Sequence, residues 1–488
     1  MANNAGTPAP LPGYRPKKLI VCCDGTWRNS DSGIFSNTVI SWIWRGREQV
    51  PTNVTRISRA IETTDSQGKQ QVVYYQAGIG SEGNLIQRLL AGALGIGLAA
   101  NIQEAYAFIA KNYVTGDEIY LIGFSRGAFT ARSIGALIGD LGLLTVDGLD
   151  KLVDIVEDWE HAGSASYRTL ISKDEPSFAV KNGSRDPKAY VSQYRAELTR
   201  FGYTRKETIP IKAIGVWETV GSLGVPVNPV LQRIGFPLVL RTYRFYNTEL
   251  GSNVENAFHA LALDEARAAY RPALWQKLPG VNANMKQTWF PGVHTDVGGG
   301  YANSGLSDIT LAWMMSNLAP FIDFTPGYIR KQWVKNQAYL RKEKVPETGF
   351  KWAAGQIKNA TSGLRRLLGI VWRTPGRYHV LNMKTLTVRE GDPLQNTHER
   401  IHTAVRSREI TGGLDDKNHV TSYQPKALER SKYELLDSSA EPGLGKWRYV
   451  GNEKPFTGEI LPEDQLGPLE MEIFEDFLPD QPTRCPST

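Results

Sequence analysis

Six short strand-like runs, most of them apolar, recur along the chain near residues 18–23, 72–76, 117–122, 211–217, 241–246 and 287–291, with polar or helically periodic stretches between them. Short runs without polar alternation predict strands buried on both faces. Their alternation with helical stretches predicts an α/β fold, a mostly parallel sheet flanked by helices. The longest apolar segment starts Leu89-Leu-Ala-Gly-Ala-Leu-Gly-Ile-Gly-Leu-Ala-Ala and continues with a helical period through Lys111. Its uninterrupted part is too short for a bilayer, which needs ~20 residues, so it reads as a helix packed on the sheet. A second helix, rich in small residues, is predicted over Ala128–Leu144. Residues 147–208 are polar with helical pieces and read as an insertion capping the main domain at 17–325. Residues 1–16, rich in Ala, Asn, Gly and Pro, read as a disordered segment without the features of a secretory signal. Residues 326–488 read as an accessory region of mixed structure.

Candidate chemistry gathers where the apolar runs end. The run at 117–122 enters Gly123-Phe-Ser-Arg-Gly, and a helical pattern leaves it. A strand, then G-x-S-x-G, then a helix is the context of a nucleophile elbow. The turn is so tight that side chains two residues either side of the serine would collide, hence Gly123 and Gly127. Ser125 is the candidate nucleophile. A serine hydroxyl needs a base, and the base an orienting acid. Among the seven histidines, His294 directly follows the run Gln287-Thr-Trp-Phe-Pro-Gly-Val and opens a glycine-rich loop. Reacting groups of α/β sheets lie at such strand ends. His259 sits in Asn256-Ala-Phe-His-Ala-Leu-Ala-Leu, a helical pattern, and reads as a packing residue. His161, His379, His398, His402 and His419 lack a comparable context. The acid should fall between serine and histidine in chain order, and Glu218 directly follows the run at 211–217. Asp296 and Asp264 are substitutes, the latter in surroundings that read as helix. The strand at 18–23 breaks at Asp24-Gly25-Thr26. One oxyanion donor is then the Arg126 N–H, and the Gly25–Thr26 turn is the candidate for the second, with Asp24 holding that loop in shape.

These segments together, Cys23-Asp-Gly-Thr-Trp, Gly123-Phe-Ser-Arg-Gly-Ala-Phe-Thr-Ala-Arg, Gly215-Val-Trp-Glu-Thr-Val-Gly-Ser-Leu-Gly and Phe290-Pro-Gly-Val-His-Thr-Asp-Val-Gly-Gly-Gly-Tyr, resemble the DUF2235 or Tle1-like family of α/β-hydrolases, known from type VI secretion phospholipase effectors. The resemblance spans about residues 17–320. It implies an α/β-hydrolase-like fold and a Ser–Asp–His hydrolase of phospholipid or related esters, with Ser125 and His294 at the family positions. Glu218 departs from the pattern, which usually has aspartate there.

Charge narrows the partners. The net charge of +6 conceals a basic segment, 328–377, with twelve Lys or Arg against two Glu, and a tail, 451–488, with nine acidic and two basic side chains. Trp333, Trp352 and Trp372 are interleaved with the basic charges. Such a segment suits either contact with anionic lipid or pairing with the acidic tail; no nucleic-acid recognition motif accompanies it. Neither a P-loop, a dinucleotide fingerprint nor a zinc spacing occurs, so no cofactor and no metal is expected; Asp296 beside Gly298–Gly300 is the weak candidate for a cation. Three cysteines, two of them adjacent in a strand, point to reduced thiols and a cytoplasmic setting. The sequence thus predicts a serine esterase of phospholipase or lipase type, with oligomeric state open. A soluble acyl esterase or thioesterase and a catalytically lapsed, lipid- or protein-binding hydrolase fold are the alternatives.

Overall fold

The computed structural model describes residues 13–25, 50–78, 98–162, 164, 167–178, 180, 186–220, 248–359, 369–382, 387–436 and 443–474. The strand predicted at 241–246, Thr26 and the apolar segment before Leu98 fall outside them. Five of the predicted runs appear as β1 (Lys18–Cys23), β2 (Gln71–Gln76), β3 (Glu118–Phe124), β4 (Ala213–Trp217) and β6 (Asn284–Phe290), and β5 (Asn256–Ala262) falls between the last two. Later in the chain come β7 (His379–Asn382), β8 (Thr387–Pro393), β9 (Glu399–His402), β10 (Gly413–Leu414), β11 (Val420–Thr421), β12 (Tyr433–Leu436), β13 (Lys446–Tyr449) and β14 (Ile460–Asp464). One ten-stranded sheet dominates, in the order β12-β13-β14-β9-β6-β5-β4-β3-β1-β2. From β14 to β2 every neighbouring pair is parallel, and β12 and β13 extend the sheet as antiparallel strands.

Both faces of the sheet are covered, which explains why its strands are apolar throughout. Along β1, Leu19, Val21 and Cys23 pack into one helix layer and Ile20 and Cys22 into the opposite one. The first layer holds α2 (Leu98–Asn112) and α3 (Arg126–Leu141); the second holds α1 (Asn53–Ala60) and the helix at Gly305–Leu318, buried but for Asn317. The insertion carries helices α4 (Val146–Asp150), α5 (Leu152–Glu160), α6 (Ile171–Asp174) and α7 (Pro187–Arg200). Its anchors lie at the far end of α3: Trp159 Nε1 donates to Asp140 at 2.8 Å, Arg195 to Gly139 O at 3.2 Å and Thr204 Oγ1 to Leu141 O at 2.7 Å. At 1.5 Å per residue that end is about 24 Å from the N-terminus of α3.

Three readings need correction. Residues 256–262 form a central strand, not a helix. The Ala- and Leu-rich composition favours helix, but pairing with β4 and β6 on either side overrides that weak preference. Asp264 accordingly lies just beyond a strand end. The chain after residue 325 does not stand apart, since β9 and β12–β14 continue the main sheet. Lastly, two of the three tryptophans in the basic segment are core residues: Trp333 and Trp352 are buried. Only Trp372 is exposed, beside exposed Ile370 and Val371. Among the described residues no helix is long and apolar enough to cross a membrane.

Candidate active site

The parallel strands deliver their C-terminal ends to one edge, and the candidate residues sit there. Ser125 lies between β3 and α3 with φ 57° and ψ −120°, a conformation that costs a side chain-bearing residue about 1–3 kcal/mol. The geometry is enforced by contact. A Cβ on Gly127 would stand 2.1 Å from Cys23 O, and one on Gly123 2.4 Å from Gly127 O. The Ser125 N–H donates across the sheet to Trp217 O at 3.1 Å. That leaves the N–H groups of the first turn of α3, beginning with Arg126, without intrahelical acceptors.

His294 opens the five-residue helix α8 (His294–Gly298), just after β6. Its Nε2 lies 2.9 Å from Ser125 Oγ and its Nδ1 3.1 Å from Glu218 Oε2. Phe124 packs tilted and Tyr270 edge-on against the ring, with centroids 4.8 and 4.7 Å away. The His294 N–H donates to Glu265 Oε2 at 3.2 Å. Asp296, proposed as a substitute acid or a cation ligand, instead caps this helix by accepting the Val293 N–H at 2.9 Å, and it also accepts the Lys358 N–H at 3.4 Å.

Glu218, entirely buried, follows β4 with φ 45°. Three donors converge on its carboxylate. Oε1 accepts the Ala262 N–H at 2.8 Å, and Oε2 accepts both His294 and the Arg373 guanidinium, the latter at 2.9 Å. A carboxylate held so tightly in the interior needs a cation nearby, and Arg373 supplies it. A second buried pair sits beside the first. Glu265 accepts from Arg267 at 2.7 and 2.8 Å. Burial pushes the Glu265 carboxyl up, but the Arg267 hydrogen bond and charge, with Arg373 and His294, outweigh it and bring the group down to about 2.

The remaining candidates take supporting places. Asp24 is buried and accepts the Gly25 N–H at 2.7 Å and the hydroxyls of Thr52, Thr55 and Tyr75 at 2.6, 2.8 and 2.7 Å. These bonds tie the end of β1 to α1 and β2. The Gly25 N–H is therefore occupied, although Gly25 does stand against the serine: a Cβ there would be 3.3 Å from Ser125 Cβ. His259 lies fully buried in β5, accepting the Thr219 N–H at 3.2 Å on Nε2 and facing Gln287 Oε1 at 3.1 Å through Nδ1. Burial, then the charges of Arg132 and Arg373, push its pKa down to about 3, so the ring stays neutral. Asp264 accepts the Gly292 N–H and the Tyr423 hydroxyl, at 2.7 and 2.8 Å. Among the described residues no group of three or more His, Cys, Asp or Glu is arranged to hold a metal.

Sequence reasoning missed Arg373, Glu265 and Arg267. A buried acid demands a cation, but nothing in the spacing points from Glu218 to a partner 155 residues away. Glu265 and Arg267 stand in a stretch whose composition imitates a helix.

A mostly parallel sheet covered on both faces by helices, with a serine on the tight turn between β3 and α3 and an imidazole between its hydroxyl and a carboxylate, is an α/β fold of the α/β-hydrolase-like kind. The chain belongs more particularly to the family described as T6SS phospholipase effector Tle1-like, catalytic domain, which residues 17–317 match. It is 27% identical over 280 residues to the uncharacterized protein YEL023C of Saccharomyces cerevisiae, a match covering 54% of this chain and 33% of that protein. The chain thus spans about a third of the length of that curated relative. Among solved structures it is similar to the Tle1 effector bound to the VgrG spike of the type 6 secretion system, at 17% identity and a TM-score of 0.29, over 61% of this chain and 56% of that one. An uncharacterized protein from Pseudomonas aeruginosa gives 16% identity and a TM-score of 0.32, over 68% and 51%.

Proposed function

We propose that this protein is a serine hydrolase of carboxylic esters, of phospholipase or lipase type, acting through Ser125, His294 and Glu218. The observation that carries the reading is a single imidazole bonded at one nitrogen to a strained serine and at the other to a buried carboxylate. Membership of a phospholipase-effector family supports lipid esters as the substrate class. In the reaction, Ser125 Oγ attacks the ester carbonyl while His294 Nε2 takes its proton. The tetrahedral oxyanion is met by the Arg126 N–H at the start of α3. The Gly25 N–H, bonded to Asp24, is not a donor in this arrangement. As the alcohol leaves, His294 returns the proton to it, and an acyl-enzyme remains on Ser125. Water, deprotonated by the same ring, then releases the acid. Glu218 fixes the imidazole with Nδ1–H toward itself and Nε2 toward the serine, and it stabilises the imidazolium as it forms.

A fluorophosphonate probe tests this. The wild-type chain is expected to label and Ser125→Ala to be silent, with turnover falling on the order of 10⁶-fold. Labelling that persists in Ser125→Ala removes the nucleophile from the reading, and an unlabelled wild type favours a binding module. Faster turnover of phospholipid vesicles than of short p-nitrophenyl esters is expected; the reverse order indicates a soluble acyl esterase or thioesterase.

A further inference from the structure

Three consecutive apolar side chains, Ile370, Val371 and Trp372, stand 39–48% exposed. A lone exposed apolar residue is ordinary, but an unbroken run of three is kept where it serves a contact. Backbone bonds fix where the run lies. The Val371 N–H donates to Ala266 O at 2.8 Å, the Ala268 N–H to Gly369 O at 3.2 Å, and Ile370 bridges to Arg267. The run is therefore strapped to the segment that leaves β5, at the sheet edge that carries the triad, and the next residue, Arg373, holds Glu218. Beside it lies a cavity of about 170 Å³ whose lining includes Arg271, Trp372, Arg373, Arg377, Tyr378 and Glu453. Aromatic rings hold its cations in place. The guanidinium carbon of Arg271 is 5.8 Å from the centre of the Tyr378 ring and that of Arg377 is 4.5 Å from the centre of Tyr449, while Arg377 Nε donates to the Tyr433 hydroxyl at 3.1 Å. With Glu453 set against Arg377 and Glu218 against Arg373, the three arginines still leave the balance positive.

We propose that this face docks the protein on an anionic phospholipid surface, with Ile370, Val371 and Trp372 entering the acyl boundary and the arginine-lined cavity receiving one lipid phosphate. A cavity of ~150 Å³ holds a benzene ring, so this one has room for a phosphate with its ester oxygens. The planar fork of an arginine matches two phosphate oxygens and is weakly hydrated, which suits a recessed site. A tryptophan ring settles where headgroups meet acyl chains, and the negative surface potential draws cations to the same depth. A second copy of the chain fits this face less well, because a two-fold contact sets the same cations against one another. Docking needs no chemistry of its own. Its use rests on the hydrolase reading above: it turns the edge that carries Ser125 toward the lipid.

The test uses the full chain carrying Ser125→Ala, so that lipid is not consumed, and measures sedimentation with vesicles of phosphatidylcholine alone or mixed with phosphatidylglycerol. Binding to the mixed vesicles is expected. Its affinity should fall about fivefold in Arg271→Gln and about tenfold or more in the double variant Val371→Ser with Trp372→Ser. All three positions are exposed, and melting temperatures report that each variant folds. Binding indifferent to both variants overturns the inference, and so does equal binding to the two kinds of vesicle. A chain that ignores vesicles but dimerises, and becomes monomeric in the double variant, assigns the run to a second copy and also overturns it. Glycerol 3-phosphate bound through Arg271 without vesicle binding would give the cavity to a soluble ligand, against the proposal. The soluble fluorophosphonate probe separates this inference from the reading beneath it. A labelled wild type that fails to dock keeps the hydrolase and loses the docking face, whereas docking by an unlabelled wild type does the reverse.

Discussion

The carboxylate oxygen Oε2 of Glu218 is shared between the His294 ring and a fixed cation, and this sets how strongly the acid can act on the base. With Arg373 at 2.9 Å, part of the carboxylate's field is spent on the guanidinium. Removing that cation in Arg373→Met leaves a fully buried carboxylate without its fixed counter-charge. Labelling by the fluorophosphonate probe is expected to slow in Arg373→Met and to recover in part in Arg373→Lys. A variant that melts lower and still labels at the wild-type rate would make Arg373 purely structural. Such residues also mark the limit of legibility. Ser125, Glu218 and His294 were readable because each directly follows an apolar run. Arg373 was not, because its only requirement is to meet a carboxylate that the fold brings to it.

Among elements, strands were legible where burial on both faces keeps them apolar, and β5 was not, because Ala and Leu serve helices equally well. His259 shows what that strand demands. Its pKa is near 3 when folded, against about 6.5 in an unfolded chain. Between those values the unfolded state binds a proton that the native state refuses, so stability falls as pH drops below about 6.5. Thermal melts from pH 7 to 4 are expected to show this loss, with a shallower slope in His259→Gln; an unchanged slope would assign the acid sensitivity elsewhere. The elbow is the other demanding element. Gly127→Ala would press a methyl against the Cys23 carbonyl, 2.1 Å away, and force β1 and α3 apart. A loss of at least about 2 kcal/mol is expected in denaturant unfolding, together with loss of probe labelling, because the same shift misdirects Ser125.

For the whole molecule, the family-matched stretch and the folded unit do not coincide. The match ends at residue 317, yet the sheet continues through β9 and β14, and Trp289 of β6 packs with Ile401, Tyr433 and Trp447. A chain cut after residue 317 keeps Ser125, Glu218 and His294 but loses Arg373 and uncovers the β6 edge. It is expected to be insoluble or unlabelled by the probe, whereas soluble, fully labelled protein would show that the C-terminal part is dispensable. The sequence suggested an accessory region there because its strands are short and its charges prominent, while the pairing that recruits them is long-range.

The three-way grip on Glu218 also says what shortening that side chain would do. Aspartate is one methylene shorter. From a backbone fixed at φ 45° it could not span the same gap to the ring, the Ala262 amide and the guanidinium. Glu218→Asp alone is therefore expected to impair the protein. Side-chain length at 218 and charge at 373 act as one unit, to be exchanged together or left alone.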